Sequence, residues 1–265
     1  MLRVAAMING SAVRFHVLLS APLPPDVPGM RVAALTLERP GERCLHANLI
    51  RLAHGPGRSY LLKPLLHYIL PPSVKRVLVL DTDVVMIRPL AALWAQFASF
   101  GPEAMLGLVG EQSDLYHNRS IGKNGGVQLL HLERMRRSPT FAAALDYYAS
   151  GRGGTWLGYL GDQTLYSLMA YTHGALFHNL GCEWNRQLSL HFGLKAQRRH
   201  SCPAGCGLLH ANQADLKCIG TAMQVANGSC AEWRRLQRRP TCVYDSRVAG
   251  MFRTAAAKYF AGCCV

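Results

Sequence analysis

Val77-Leu78-Val79-Leu80-Asp81-Thr82-Asp83-Val84-Val85 is an apolar run, preceded by Lys75-Arg76, that carries two carboxylates two positions apart. Such a stretch of β-branched residues and leucine reads as a strand buried on both faces of a parallel sheet. Side chains alternate along a strand, so Asp81 and Asp83 are expected to point the same way where the strand leaves the sheet. The carboxyl ends of strands are where open α/β sheets bind ligands. Two hard oxygen donors at that place suit a divalent cation that also holds a phosphorylated substrate.

The surrounding sequence extends the same pattern. On the amino side, Tyr60 to Leu70 has apolar residues at helical spacing and stops at Pro71-Pro72. Before it, residues 1–8 read as the end of a helix, Val13 to Ser20 as a strand, Ala21 to Met30 as a proline-rich loop and Arg31 to Leu37 as a second strand. On the carboxyl side Pro89 opens a short helix, Leu90 to Phe97, and Ala104 to Val109 is a strand. Gly125 to Leu132 reads as a strand introduced by glycines, and Ser138 caps a helix running to Tyr148 with Pro139 first. Gly161-Asp162-Gln163 opens a helix to about Tyr171, Leu208-Leu209-His210 is a short strand, and Cys230 to Arg238 is helical. Strands alternating with helices imply an α/β class with a mostly parallel sheet. At 265 residues, with no long linker or low-complexity run, one domain is expected. Its core spans about residues 1–240, with a helical, cysteine-containing extension at 241–265.

The formal charge of +14 predicts attraction to anions. Basic clusters such as Arg134-Met135-Arg136-Arg137 and Arg234-Arg235-Leu236-Gln237-Arg238-Arg239 do not interleave with aromatics as a base-stacking groove does. Nucleic acid is therefore not the expected partner. The nine cysteines are concentrated from Cys182 onward, and no pair has the two-residue spacing of a zinc knuckle. A lumenal or extracellular compartment with disulfides is the better account, and the sequons at Asn9, Asn118 and Asn227 fit it. Met1 to Leu19 is interrupted by Asn9, Arg14 and His16 and does not make a signal peptide, and no segment is long enough to span a bilayer. A lumenal location is expected if an anchor is missing from this chain.

Several blocks occur in one order: Leu80 to Asp83; Ile87-Arg88-Pro89-Leu90-Ala91-Ala92-Leu93-Trp94; Leu106 to Val109 with Glu111-Gln112-Ser113-Asp114-Leu115-Tyr116. They continue with Asn124-Gly125-Gly126-Val127, Gly161-Asp162-Gln163, Cys182-Glu183-Trp184-Asn185-Arg186-Gln187-Leu188-Ser189 and Leu209-His210. Together they resemble glycosyltransferase family 8, and within it the xylosyltransferase domain of LARGE-type enzymes, with xyloside xylosyltransferases next. The resemblance implies the GT-A nucleotide-sugar transferase fold, a Rossmann-like sheet with flanking helices. It also implies a UDP-sugar donor, with xylose as first guess, a glycan or glycoprotein acceptor and a Golgi or other secretory location. It further implies Mn2+ bridging protein and diphosphate, with Mg2+ as the alternative.

Carried over position by position, the resemblance makes Asp81, Asp83 and His210 the metal ligands, Asp81 also reaching the ribose. Adding an imidazole to carboxylates favours a transition metal such as Mn2+ over Mg2+. Leu80, Thr82 and Lys63 fall in the donor site, and Asn124 hydrogen-bonds the donor sugar, with Gly125 and Gly126 allowing close backbone approach. Lys217 is placed as a phosphate lysine after His210, at a spacing that departs from the family pattern. Family members retain anomeric configuration. Asp162 and Gln163 stand where a nucleophile is required, or where side chains bind sugar hydroxyls while the acceptor attacks from the leaving-group face. Aspartate after Gly161 also suits a helix cap.

The family's first strand, which precedes the helix at Met1 to Ile8 and contributes to the uridine pocket, is not found in this sequence. A catalytically inactive or truncated binding protein is therefore the alternative. Asp81-Thr82-Asp83-Val84-Val85 also fits the first motif of haloacid-dehalogenase-like phosphatases, but these need a later Gly-Asp-x-x-x-Asp. Here Tyr166 stands where the second of those aspartates belongs.

Overall fold

A computed structural model describes residues 40–53, 60–81, 84–86, 88–112, 122–152, 160–187 and 207–210. The elements expected before residue 40 and at Cys230 to Arg238, the 241–265 extension, and Thr82, Asp83 and Lys217 lie outside the described residues. In chain order the elements are α1 (Pro40–Leu52), a 3-10 turn (Lys63–Leu65), α2 (Leu66–Ile69), β1 (Val77–Leu80), β2 (Val84–Met86), α3 (Leu90–Trp94), β3 (Leu106–Gly110) and β4 (Lys123–Leu130). Then follow α4 (Leu132–Arg137), α5 (Pro139–Ala149), α6 (Asp162–Thr172), β5 (Phe177–Asn179), β6 (Arg186–Gln187) and β7 (Leu208–His210). The chain divides into two compact units, Met1–Val77 with His131–Leu165 and Leu78–Leu130 with Tyr166–Val265.

In the first unit α1 packs on α5. The Ser138 hydroxyl accepts from the Phe141 N–H at 3.0 Å, Pro139 takes the first helical position where no N–H is needed, and Gly151 ends the helix at φ +81°. Phe141, Ala144, Leu145 and Tyr148 recur at helical spacing and are all buried, worth about 1.5–3 kcal/mol for each large side chain. The helix expected over Tyr60 to Leu70 is instead broken into the 3-10 turn and α2. Pro64 explains the break: it has no N–H to give and restricts the residue before it. Arg136 of α4 closes the end of α2. Its guanidinium donates to the carbonyls of His67 (2.7 Å), Leu70 (3.0 Å), Pro71 (3.1 Å) and Val74 (3.0 Å), where helix-end carbonyls lack intrahelical partners.

The second unit carries two sheets. One has the order β1-β4-β3-β5 and the other β2-β7-β6. β4 runs antiparallel to β3, while β5, which follows the helices α4 to α6, runs parallel to it. In the smaller sheet β7 is antiparallel to β2 and parallel to β6. The α/β class holds, and the sheets are mixed rather than mostly parallel, because β4 returns directly beside its predecessor. β1 matches its expected residues, but they are half-buried rather than enclosed on both faces, and among the described residues β1 stands at the end of its sheet. The core joins Met86, Leu93, Phe97, Phe100, Val127, Leu129 and Leu208 with Trp184. Cys182, beside Trp184, is disulfide-bonded, whereas Cys44 is a free thiol.

The pairing of β3 with β4 is interrupted where the site begins. Leu108 pairs with Gln128, but Val109 pairs with Asn124, so residues 125–127 bulge out without partners on β3. Their polar groups are satisfied locally. Gln128 Nε2 donates to the Gly125 carbonyl (2.8 Å), the Gly126 N–H donates to Asn124 Oδ1 (3.0 Å), and the Asp81 N–H donates to the Gly126 carbonyl (2.9 Å). The bulge thereby fixes the backbone of Asp81 at the end of β1.

Candidate active site

Two of the expected metal ligands meet in the second unit. Asp81 follows β1, and His210 ends β7 in register with Val84, the residue after Asp83 in the chain. His210 Nε2 lies 3.8 Å from Asp81 Oδ2, with the imidazole almost fully enclosed and the carboxylate about one-third exposed. A carboxylate oxygen and an imidazole nitrogen side by side fit a divalent transition metal such as Mn2+. Among the described residues no group of three such side chains converges, and Asp83 is not among them.

A buried amide chain backs this pair. His210 Nδ1 is 3.1 Å from Asn185 Oδ1, Asn185 Nδ2 donates to Asn124 Oδ1 (2.8 Å), and Asn124 Nδ2 donates to Glu111 Oε2 (3.0 Å). Asn124 and Asn185 are completely buried and Glu111 nearly so. Gly126 lies directly against the imidazole. A Cβ there would collide with Cε1 and Nδ1 of His210 and stand 2.8 Å from Nε2, so only glycine fits without displacing the ring. Gly125 is buried in the same bulge, and Leu80, at the end of β1, packs against the core.

β6 is clamped to the end of β3 by a reciprocal glutamine pair. The Gln112 N–H donates to Gln187 Oε1 (2.8 Å) and the Gln187 N–H to Gln112 Oε1 (3.2 Å). Gln187 Nε2 reaches the Gly110 carbonyl (3.1 Å), and Gln112 Nε2 the Asn185 carbonyl (2.9 Å). These bonds hold Asn185 beside Asn124. Next to Asn124, Lys123 is buried with Nζ 2.6 Å from Asn179 Oδ1, and desolvation pulls its pKa below the usual lysine value.

In the first unit Lys63 Nζ lies 3.5 Å from Asp162 Oδ2, with both side chains largely buried, and the ammonium stands over the Tyr60 ring at 5.2 Å. Asp162 and Gln163 begin α6, where a negative charge is favoured by the helix dipole. Gly161 before them has φ +52°, a left-handed turn that glycine permits. Thus the expected residues Lys63 and Asp162 are brought together, as are Asp81, His210, Asn124 and Gly126.

Sequence reading did not single out Glu111 and Asn185. Both sit in blocks that carry the family resemblance. For Glu111 the only other signal is a polar residue beside a short apolar strand, and Asn185, which precedes the polar pair Arg186–Gln187, has not even that.

No protein-family model matches the chain. It is 34% identical over 178 residues to the xylosyl- and glucuronyltransferase LARGE2 of Mus musculus, covering 60% of this chain and 24% of that protein. It is 30% identical over 152 residues to xyloside xylosyltransferase 1 of Homo sapiens, covering 49% of this chain and 39% of that protein. The chain thus matches between about a quarter and two fifths of the length of these relatives. The crystal structure of mouse xyloside xylosyltransferase 1 in its apo form superposes with a TM-score of 0.56 at 25% identity, covering 65% of this chain and 73% of that one. The mixed α/β architecture, the ordered motif blocks and these likenesses agree. This chain is similar in sequence to LARGE-type glycosyltransferases and xyloside xylosyltransferases and has the GT-A fold.

Proposed function

We propose that this chain transfers a sugar, xylose first among candidates, from its uridine diphosphate to a glycan or glycoprotein acceptor, with retention of configuration and with Mn2+ as cofactor. The observation that carries the reading is the meeting of Asp81 and His210 at 3.8 Å beside the bulge of β4. A bound divalent cation would act as Lewis acid on the leaving diphosphate. Asp81 and His210 would hold it, together with Asp83, and Lys63, Leu80 and Thr82 would contribute to donor binding. Lys217 is the further candidate for the phosphates. Asp162 and Gln163 would face the transferred sugar, with the Asp162 carboxylate paired to the Lys63 ammonium. Asn124 and Gly125 complete the donor side of this reading, Asn124 acting through the chain that fixes His210. The disulfide at Cys182 supports a secretory compartment. No described helix is long and apolar enough to cross a membrane.

The test is a hydrolysis and binding screen of several UDP-sugars with and without Mn2+, run beside Asp81→Ala and His210→Ala. Selective, Mn2+-dependent use of one donor, lost in both variants, is expected. Folded wild-type protein that binds no donor would refute the proposal.

A further inference from the structure

The buried amide chain has a direction, and the direction can be read from one group of known polarity. A backbone N–H only donates, so the atom of Asn124 that lies 3.0 Å from the Gly126 nitrogen must be its carbonyl oxygen. The Asn124 amide nitrogen then faces the Glu111 carboxylate at 3.0 Å, a second end that agrees with the first. Because Asn124 Oδ1 is an acceptor, the Asn185 group 2.8 Å away must be its NH2, which turns Asn185 Oδ1 towards His210. An oxygen opposite Nδ1 at 3.1 Å requires a hydrogen on Nδ1. In the neutral ring that leaves Nε2 as the bare, metal-ligating nitrogen, and Nε2 is the atom 3.8 Å from the Asp81 carboxylate. A bare nitrogen and a carboxylate oxygen facing each other repel unless a cation lies between them.

We infer that Asn185 is a positioning residue that, oriented through Asn124 by the Gly126 N–H and Glu111, locks His210 in its Nδ1–H tautomer and so presents Nε2 to a divalent cation. This rests on the proposed metal role of Asp81 and His210. The relay is internal to the second unit, and all four of its side chains are buried, so solvent does not compete for the hydrogen bonds that set its direction. Outer partners of this kind are worth about 10- to 100-fold in metal affinity.

The experiment uses the whole chain with 15N-labelled histidine. Long-range nitrogen–proton correlations of the metal-free protein are recorded above the ordinary histidine pKa, and His210→Gln identifies the signals. The expected wild-type pattern is a protonated Nδ1 and an unprotonated Nε2. Protonation at Nε2, alone or together with Nδ1, overturns the inference without recourse to any variant. Asn185→Leu should mix the tautomers and weaken Mn2+ binding, followed by electron paramagnetic resonance, by about 10- to 100-fold. Asn185→Asp keeps an acceptor opposite Nδ1, so it should keep the Nδ1–H tautomer and most of the affinity even though loss of the donor to Asn124 Oδ1 lowers its melting temperature. A purely structural role predicts instead that both variants lose affinity in step with their melting temperatures, which overturns the inference. Wild-type protein that binds no Mn2+ would remove the proposed metal role, and the tautomer measured in that same protein still decides the relay.

Discussion

Gly126→Ala tests the geometry at its tightest point. The added Cβ stands 2.8 Å from Nε2 of His210 and nearer still to Cε1 and Nδ1. Ordinary contact begins at about 3.5 Å, so the ring must retreat by at least roughly 0.7 Å. It has little room to do so, because His210 is 3% exposed and its Nδ1 is tied to Asn185. Overpacking of this kind costs about 1–3 kcal/mol. The loss of unfolded-chain freedom on replacing glycine stabilises by only about 0.4–1 kcal/mol, so destabilisation wins. The melting temperature should fall by about 2–4 °C per net kcal/mol. Mn2+ binding should fall at least tenfold, roughly the effect of misorienting one ligand. Calorimetry for melting and titration for Mn2+ read the two effects separately. Gly101→Ala is the control, since a Cβ there meets nothing within 4 Å. A Gly126→Ala protein with wild-type melting and wild-type Mn2+ affinity would show that the ring does not lie against this glycine.

Three further outcomes are expected. His67 donates from Nδ1 to the Pro64 carbonyl, and burial pulls its pKa down to about 4. The unfolded chain therefore binds a proton between about pH 6.5 and 4 that the folded chain does not, and stability falls as pH drops through that window, by about 2 kcal/mol at pH 5. His67→Gln should flatten that part of a urea-denaturation pH series, and an unchanged slope would contradict the buried neutral state. Arg136→Ala should lower the denaturant midpoint by an amount equivalent to roughly 2–3 kcal/mol by stripping the carbonyls at the end of α2. Arg136→Lys should recover less than half, because one ammonium cannot reproduce the guanidinium fork. A double-mutant cycle of Lys63→Met with Asp162→Asn should give a coupling of about 1–3 kcal/mol, and zero coupling would deny the ion pair.

The elements legible in the sequence were those with local punctuation. Ser138-Pro139 announced α5, Pro89 announced α3, Gly161-Asp162 announced α6, and the apolar run announced β1. β2 and β6, of three and two residues, are too short to display a period. The break at Pro64 was visible as a residue but was outweighed by the helical spacing around it. In the site, Asp81 stood out because a charged group at the end of an apolar strand calls for a reason, whereas His210 was marked only by the family resemblance. Asn185 did not, because its significance comes from Asn124, 61 positions away in sequence, and no local pattern encodes that distance. The bulge of β4 was likewise invisible: Gly125 and Gly126 read as the entry to a strand, and the bulge follows only from pairing with β3.

That bulge makes chain length part of the site's code. Had the register of Leu108 with Gln128 continued one step, Val127 would face Val109; three unmatched residues put Asn124 there instead. Removing one of them would shorten the bulge and strain the pairing of Asn124 with Val109 that the register shift sets up. Removing all three would restore an uninterrupted ladder with Asn124 still opposite Val109, yet without Gly126 or the carbonyl that receives the Asp81 N–H. Single-residue deletions there leave a bulge of the wrong length, whereas the triple deletion yields a better-paired sheet that no longer holds Asp81. Change at this place is therefore far better tolerated as substitution of Val127, which leaves the count intact, than as any gain or loss of residues.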